Sequence, residues 1–561
     1  MKRVMVTLLI SLLTAMIFCL ENNFHFAILG DRTGTADQEA FQKVVEDIQA
    51  LMPDFVVTVG DLAEDGSNPD DWTVPMQTMN IINCPIYYTA GNHDILDDDS
   101  ARLFTLNTGC QPFYSFRVQN STFIILDNAR ASSYEDMDLE QRQWLEKTLA
   151  ECPRDENKFV FMHKPFWAET IGAGREDTIH ELFCEYNVNA VFTGHWHQYA
   201  YNIFDDIEYF IVGSSGGDFG SVDVDMGDFY QFMWCRVEES NLYTTLIRSG
   251  NFFPRDYVTL ADLNFTRKIN RELLTYECHE IESRVYEMII KIINPHEEEL
   301  VTPVILLGNN VWSVSPVKDS SIVVPAKDSL SCSFLLEQNS GFYPLPRLTC
   351  DYPVRPGKTY NFNNPILLSR EIIIPETQIR PVIDGSLEEE WDSAPITEEF
   401  ADDEADLQEL TSLQLKFMYD KEFIFLSCVC PGEISVNECK AHNHDESVYY
   451  DESIGFLLAG EENIIYQYYI NPDGIIWDMR TDLAEQEYNR DWNSQMQCST
   501  KIDSGSWILE IAIPWAELGS SALEPLYFNL RRYDQRNERL ALFIPEWSYR
   551  SVKYGILTCR N

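Results

Sequence analysis

Near residue 250 the text of this chain changes character. From Phe24 to Gly250 strand-like runs alternate with helical ones: FHFAIL, the amphipathic DQEAFQKVVEDIQALM, DFVVTV, and further on KFVFM, DTIHELFCEY and NAVFT. Alternation of the two periods predicts an α/β domain with a largely parallel sheet. Beyond it the helical period does not return, and short strand-like runs recur to the C-terminus. That pattern predicts antiparallel sandwiches instead of further α/β units. The chain therefore reads as a multidomain protein: an α/β domain over 24–255, an Ig-like β-sandwich connector over 270–370, and an antiparallel β-sandwich over 371–561, with a polar connection between Pro254 and Tyr276.

Composition narrows the function classes. Hydrophobic residues make up 45% of the 561, enough for several cores, so most of the chain is expected to fold. Lys plus Arg total 41 against 90 for Asp plus Glu, a net charge of -49. Binding a nucleic-acid polymer through its backbone needs clustered Lys and Arg, so that partner is not expected, and an anionic membrane surface is disfavoured for the same reason. The acidity reads mainly as solvated surface. At the N-terminus, Lys2 and Arg3 precede an apolar run from Val4 to Leu20, over residues 1–20, as in a secretory signal peptide or, uncleaved, an anchor. The protein is thus expected to be secreted, periplasmic or at the cell surface. The 14 cysteines are spread too thinly for a disulfide framework, and Cys428 and Cys430 in FIFLSCVC read as small core residues on one strand face.

Polar groups stand just beyond the strand-like runs of the first domain. In order they are Gly30-Asp31, Gly60-Asp61, Gly91-Asn92-His93-Asp94, His163 after KFVFM, and Gly194-His195-Trp196-His197. Loops at the carboxyl ends of parallel strands converge on one crevice, so these groups are expected to meet there. The ordered set, with the YSF and FIILD hairpin and the helix bearing Gln143-Trp144-Leu145, resembles the calcineurin-like metallophosphoesterase superfamily over about residues 24 to 250.

The resemblance implies a four-layer α/β/β/α sandwich and two divalent or trivalent metal ions, of the Zn, Mn or Fe kind that mixed N and O ligands suit. It implies Asp61 as the bridging carboxylate, Asn92, His163 and His195 at one ion, and Asp31 and His197 at the other. His93 would protonate the leaving alkoxide or hold the phosphate, with Asp94 orienting its imidazole. Where the family commonly reads Asp-x-His, this chain has Asp31-Arg32-Thr33. Glu64 binding through oxygen, Thr33 through water, and a weakly held first ion all stay open. Arg32 has a planar fork suited to phosphate oxygens, the alternative being a surface salt bridge. His180 in DTIHELFCEY reads as packed or solvated, the H-x-H at His442 and His444 as a loop without metal, and GSSGGDFG, Gly213 to Gly220, as a loop lining the pocket.

Over about 375–561 the chain resembles the family 9 carbohydrate-binding modules, through Ile383-Asp384-Gly385, Glu390-Trp391, YQYYINPDG, WILEIAIPW and FNLRR. The resemblance implies a polysaccharide or cell-surface glycan partner stacked on aromatics, with Trp477, Trp492 and Trp547 as candidates against a packing role, and structural calcium as a further cofactor. The expected function is an exported two-metal hydrolase of phosphomonoesters or phosphodiesters, localised by a glycan-binding domain. The rival is a surface glycan-binding protein whose incomplete first metal site leaves little or no turnover. In either case a phosphate ester is the expected ligand of the first domain, and a membrane only through an uncleaved N-terminal segment.

Overall fold

The computed structural model describes residues 23–559 other than 35, 220–222, 316–320, 403–412, 433–438, 440, 446–447, 449–450, 461–462, 486, 504, 522–523, 536–538 and 549–550. The N-terminal apolar run lies outside the described residues, and no described helix is long and apolar enough to cross a membrane. The chain falls into two compact units, one reaching Glu272 and including Tyr352–Asn361, the other comprising Leu273–Asp351 and Phe362 onward.

The first unit is built on two six-stranded sheets. One has the order β12-β11-β10-β1-β2-β3, where β1 is Asn23–Leu29, β2 Phe55–Thr58, β3 Ile86–Tyr87, β10 Phe232–Glu238, β11 Asn241–Arg248 and β12 Asn251–Pro254. The other has the order β4-β5-β6-β7-β9-β8, where β4 is Tyr114–Val118, β5 Ser121–Ile125, β6 Asn157–Phe161, β7 Ala190–Thr193, β8 Ala200–Phe204 and β9 Ile207–Ile211. β1, β2 and β3 run parallel, as do β5, β6, β7 and β9, so their carboxyl ends share one edge of each sheet.

Period-two alternation decides what each face meets. From β1, Phe24 and Phe26 turn inward, and with Phe55 they meet Phe123 of the other sheet at ring separations of 6.0, 5.4 and 5.2 Å. Ala27 and Leu29, on the opposite face, join a cluster with Phe41, Val44, Val45 and Ile48 of helix Gln38–Leu51. That helix begins where the Asp37 side chain accepts the Ala40 N–H and ends at Met52 in the left-handed region. Helices Leu139–Glu151 and Thr178–Glu185 bury Leu145, Leu149, Ile179 and Phe183 in turn.

The expected polar connection after Pro254 contains a helix. Helix Leu260–Lys268 begins with a capping box, Thr259 accepting the Asp262 N–H while Asp262 accepts that of Thr259, and it buries Leu260 and Leu263. Three-residue spacing of the leucines and the T-x-x-D start were readable signals outweighed by the polar residues around them.

Among the described residues from Leu274 onward the chain is almost entirely β. Between Leu274 and Pro365 it has two four-stranded sheets, and from Arg370 onward an eight-stranded and a five-stranded sheet. Cys428 and Cys430 are fully buried on strand Phe423–Pro431, with sulfurs 3.8 Å apart.

Candidate functional site

All five motifs lie just past strand ends: Asp31 after β1, Asp61 after β2, Asn92 to Asp94 after β3, His163 after β6 and His195 to His197 after β7. Glycines let these loops close on one another. A Cβ on Gly91 would stand 2.1 Å from Asp61 Oδ1, and one on Gly194 would stand 2.2 Å from Asp31 Oδ1. Asp61, His195 and His197 hold φ of 57°, 73° and 54°, a left-handed backbone that costs side-chain-bearing residues free energy and concentrates at functional sites.

Two groups of ligand atoms result, each with its members within 4.8 Å of one another: Asp61, His163 and His195, and Asp31, Asp61 and His197. Asp61 belongs to both. His163 donates from Nδ1 to the Val59 carbonyl at 2.9 Å, which turns Nε2 toward Asp61 Oδ2 at 3.1 Å and Asn92 Oδ1 at 3.0 Å. These oxygens only accept, so a proton or a cation must lie between them and the ring. His197 Nε2 is 3.7 Å from Asp31 Oδ2, while its Nδ1 meets the carbonyl and carboxylate of Asp218 at 2.8 and 3.2 Å. The His195 N–H donates to Asp31 Oδ2, yet Asp31 Oδ1 is buried with no hydrogen-bond partner.

The electrostatics are those of buried charge in want of compensation. Burial, against the pull of His163 and His197, pushes the Asp31 carboxyl up to about 7. At Asp61 burial also pushes upward, but the charge and hydrogen bond of His163, helped by His93, hold it below the usual carboxylate range. Burial would lower His163 and His197; the carboxylates of Asp61 and Asp31 at the first, and of Asp218 and Asp31 at the second, overcome it and raise both to about 9. At His195, whose ring is partly desolvated although the residue is exposed, desolvation and the charge of neighbouring His163 lower the imidazole to about 4. A buried carboxylate oxygen without a partner, two carboxylates in one pocket and imidazoles aimed at them make a donor set that fits metal cations.

Three expectations change. Asp94 does not orient the imidazole of His93: its carboxylate is wholly buried and accepts the backbone N–H groups of Asp61, Leu62, Ala63 and Gly91 at 2.8 to 2.9 Å. The carbonyl of Glu64 holds His93 Nδ1 instead, at 2.8 Å. Arg32 does not present its fork to a ligand. It is buried, donates to Leu62 O and Gln38 Oε1 at 3.1 and 3.2 Å, and lies over the Phe41 ring. The Glu64 carboxylate stands outside both ligand groups and accepts the Gly34 N–H at 2.9 Å, whereas Thr33 Oγ1 lies 3.4 Å from Asp61 Oδ2.

Sequence reasoning passed over Asn128 and Asp218. Asn128 Oδ1 accepts the N–H of His163 and of Lys164 at 2.9 and 3.0 Å, and its amide donates to the Lys164 carbonyl. Asp218 sits in the GSSGGDFG loop, which is fastened to the site by Ser214 N–H to His197 O and Ser215 N–H to Asp31 O, at 2.9 and 2.7 Å. The expectation of a pocket-lining loop was the available signal for Asp218; nothing local marked Asn128.

The three tryptophans of the second unit do not form one platform. Trp477 and Trp547 pack on Tyr469, the latter donating to its hydroxyl at 2.8 Å, while Trp492 packs on Tyr466 and Tyr468. These tyrosines alternate along strand Ile464–Ile470, so Trp492 lies on the opposite face of the sheet. His444, expected to be a plain loop residue, comes together with Asp445 and Asp478.

Comparison with known proteins bears on the first unit. A family model described as Calcineurin-like phosphoesterase matches residues 24–199. A probable glycerophosphodiester phosphodiesterase of Arcobacter nitrofigilis is 23% identical over 175 residues, covering 28% of this chain and 60% of that protein. The serine/threonine-protein phosphatase CPPED1 of Rattus norvegicus is 25% identical over 205 residues, covering 32% and 65%. This chain thus spans less than two thirds of the length of either relative. Among solved structures, GAP50 of Plasmodium aligns over 41% of this chain and 88% of its own at 15% identity and a TM-score of 0.33. The N-terminal part of this chain has the metallophosphoesterase fold.

Proposed function

We propose that the first unit hydrolyses phosphate esters, mono- or diesters, at two metal ions sharing Asp61, and that the chain is exported and held near polysaccharide or cell-surface glycan by its C-terminal sandwich. One observation carries the catalytic reading: Asp61 belongs to both ligand groups, beside a buried oxygen of Asp31 that no protein group satisfies. Asp31 and His197 would hold one ion, Asn92, His163 and His195 the other. When bound, the ions would polarise the phosphoryl oxygens and make water acidic enough to attack. Their charge lets a protein of net charge -49 accept an anionic ester.

The remaining work falls to protein groups. Val59 O and Asp218 each take one ring nitrogen of a ligand histidine, so the other faces the carboxylates. Asp94 holds the Asp61 loop in its left-handed turn. With Nδ1 committed to Glu64 O, His93 keeps Nε2 to deliver a proton to the leaving alkoxide. Analysis of bound metal, combined with chromogenic phosphomonoesters and phosphodiesters, tests the reading. About two ions per chain and turnover abolished in Asp61→Ala and Asn92→Ala are expected. Full metal loading with no hydrolysis of any ester would overturn it.

A second reading, a surface glycan-binding protein with little turnover, draws on the group of Asp31, Asp61 and His197, where two carboxylates meet a single imidazole and Glu64 is tied to Gly34. Substoichiometric metal without turnover would favour it. A glycan array probed with the full chain tests localisation, and uniformly empty spots would leave the C-terminal sandwich a structural role.

A further inference from the structure

His180, Cys184 and Asp205 form a second constellation, at the other end of the sheet from the groups just described. Asp205 precedes β9, whose start lies beside Asn189, ahead of β7, whereas His195 and His197 follow β7. The length of β7, about 13 Å, separates the two ends. His180 and Cys184 are four residues apart on helix Thr178–Glu185 and share a face. Asp205 comes from the two-residue turn between β8 and β9, where Asp205 and Asp206 both take positive φ, 46° and 66°, as a tight hairpin requires.

The geometry is convergent. His180 Nδ1 meets the Tyr209 hydroxyl at 2.7 Å, which fixes the ring. Its Nε2 faces both Asp205 Oδ2, at 2.9 Å, and Cys184 Sγ, at 3.5 Å. All three ligand atoms lie within 4.8 Å of one another. In a nucleophilic triad the carboxylate would sit on one ring nitrogen and the thiol on the other. Here both sit on the same nitrogen, and the second nitrogen is held by a neutral hydroxyl, the arrangement that orients a histidine ligand.

The surroundings fit a cation. His180 is buried, Asp205 is exposed, and Cys184 and Asp205 line an open groove of about 1080 Å³ that also carries Asp206 and Glu208. Solvent can therefore reach the point where the three atoms converge. A cation there would take the place of the thiol proton between Cys184 Sγ, His180 Nε2 and the Asp205 carboxylate.

We infer that His180, Cys184 and Asp205 bind a divalent cation that accepts thiolate, zinc being the best match to one nitrogen, one sulfur and one oxygen, with water from the groove in the fourth position. The ion would tie helix Thr178–Glu185 to the β8–β9 turn. This inference does not depend on the phosphoesterase reading.

Cobalt(II) titration of the metal-stripped full chain tests it, because a thiolate ligand produces a sulfur-to-cobalt charge-transfer absorption that nitrogen and oxygen ligands do not. The wild-type chain is expected to show this band, Asp31→Asn to retain it, and Cys184→Ser, folded by circular dichroism, to lose it. Asp205→Ala, on an exposed turn, is expected to weaken cobalt binding at the band about 10-fold or more. Absence of the band in the wild-type chain, its survival in Cys184→Ser, or unchanged affinity in Asp205→Ala would each overturn the site. Should Cys184→Ser not fold, the Asp205→Ala titration decides.

Discussion

Asp94 has no direct part in the proposed chemistry, yet four backbone N–H groups converge on its carboxylate, and one belongs to Asp61. Burial, with the charge of Asp61, raises it to about 6, and the N–H groups of Ala63, Gly91 and Leu62 pull the other way. Asp94→Asn would turn an amide N–H₂ toward two of those donors, leaving them buried and unpaired. A loss of about 3 kcal/mol or more is expected by urea unfolding, together with reduced metal content, because Asp61 loses the contact that keeps its turn. His93 differs: its ring is anchored to a backbone carbonyl, and no strand end depends on its side chain. In His93→Gln, turnover is expected to fall about 10²- to 10⁴-fold with bound metal unchanged, measured as kcat beside metal analysis.

At the scale of elements, the site is an assembly of loops held by the edges of two sheets. β1 and β2 deliver Asp31 and Asp61, β6 and β7 the histidines, and the segment after β9 is fastened to them by the backbone hydrogen bonds of Ser214 and Ser215 to His197 and Asp31. The helix after β12 shows how a short segment becomes ordered: its first turn is closed by the reciprocal hydrogen bonds of Thr259 and Asp262, while Leu260 and Leu263 are buried. Thr259→Ala is expected to cost about 0.5–2 kcal/mol in thermal or urea unfolding, with no change in bound metal.

Across the whole molecule, each unit has its own core and its own buried charges. In the second unit Arg532 is almost fully buried and donates from Nε and Nη2 to Glu452 Oε1 at 3.1 and 2.8 Å. Arg532→Met would strand Glu452, and a destabilisation of about 3–5 kcal/mol is expected in calorimetry, whereas the proposed metal binding at Asp61 would belong to the first unit and should persist below the melting range. Much of this was legible in the text. The period of two in FHFAIL, the spacing of DQEAFQKVVEDIQALM and the glycine before four of the five acidic or histidine motifs are local, because strand pleat, helix pitch and tight turns act over a few residues. The partners of those residues were not legible. Asn128 reaches His163 across 35 positions, Asp218 reaches His197 across 21, and Tyr209 reaches His180 across 29, and no periodicity links positions that meet only when sheets pack. For the same reason neither the burial of Arg32, whose fork suits phosphate oxygens, nor the turn of Asp94 away from the His93 imidazole toward backbone N–H groups was legible. Which residues stand at the strand ends follows from the order of the amino acids; which way their side chains turn, and what holds them, follows from the meeting of distant segments, where burial makes every unpaired polar group costly.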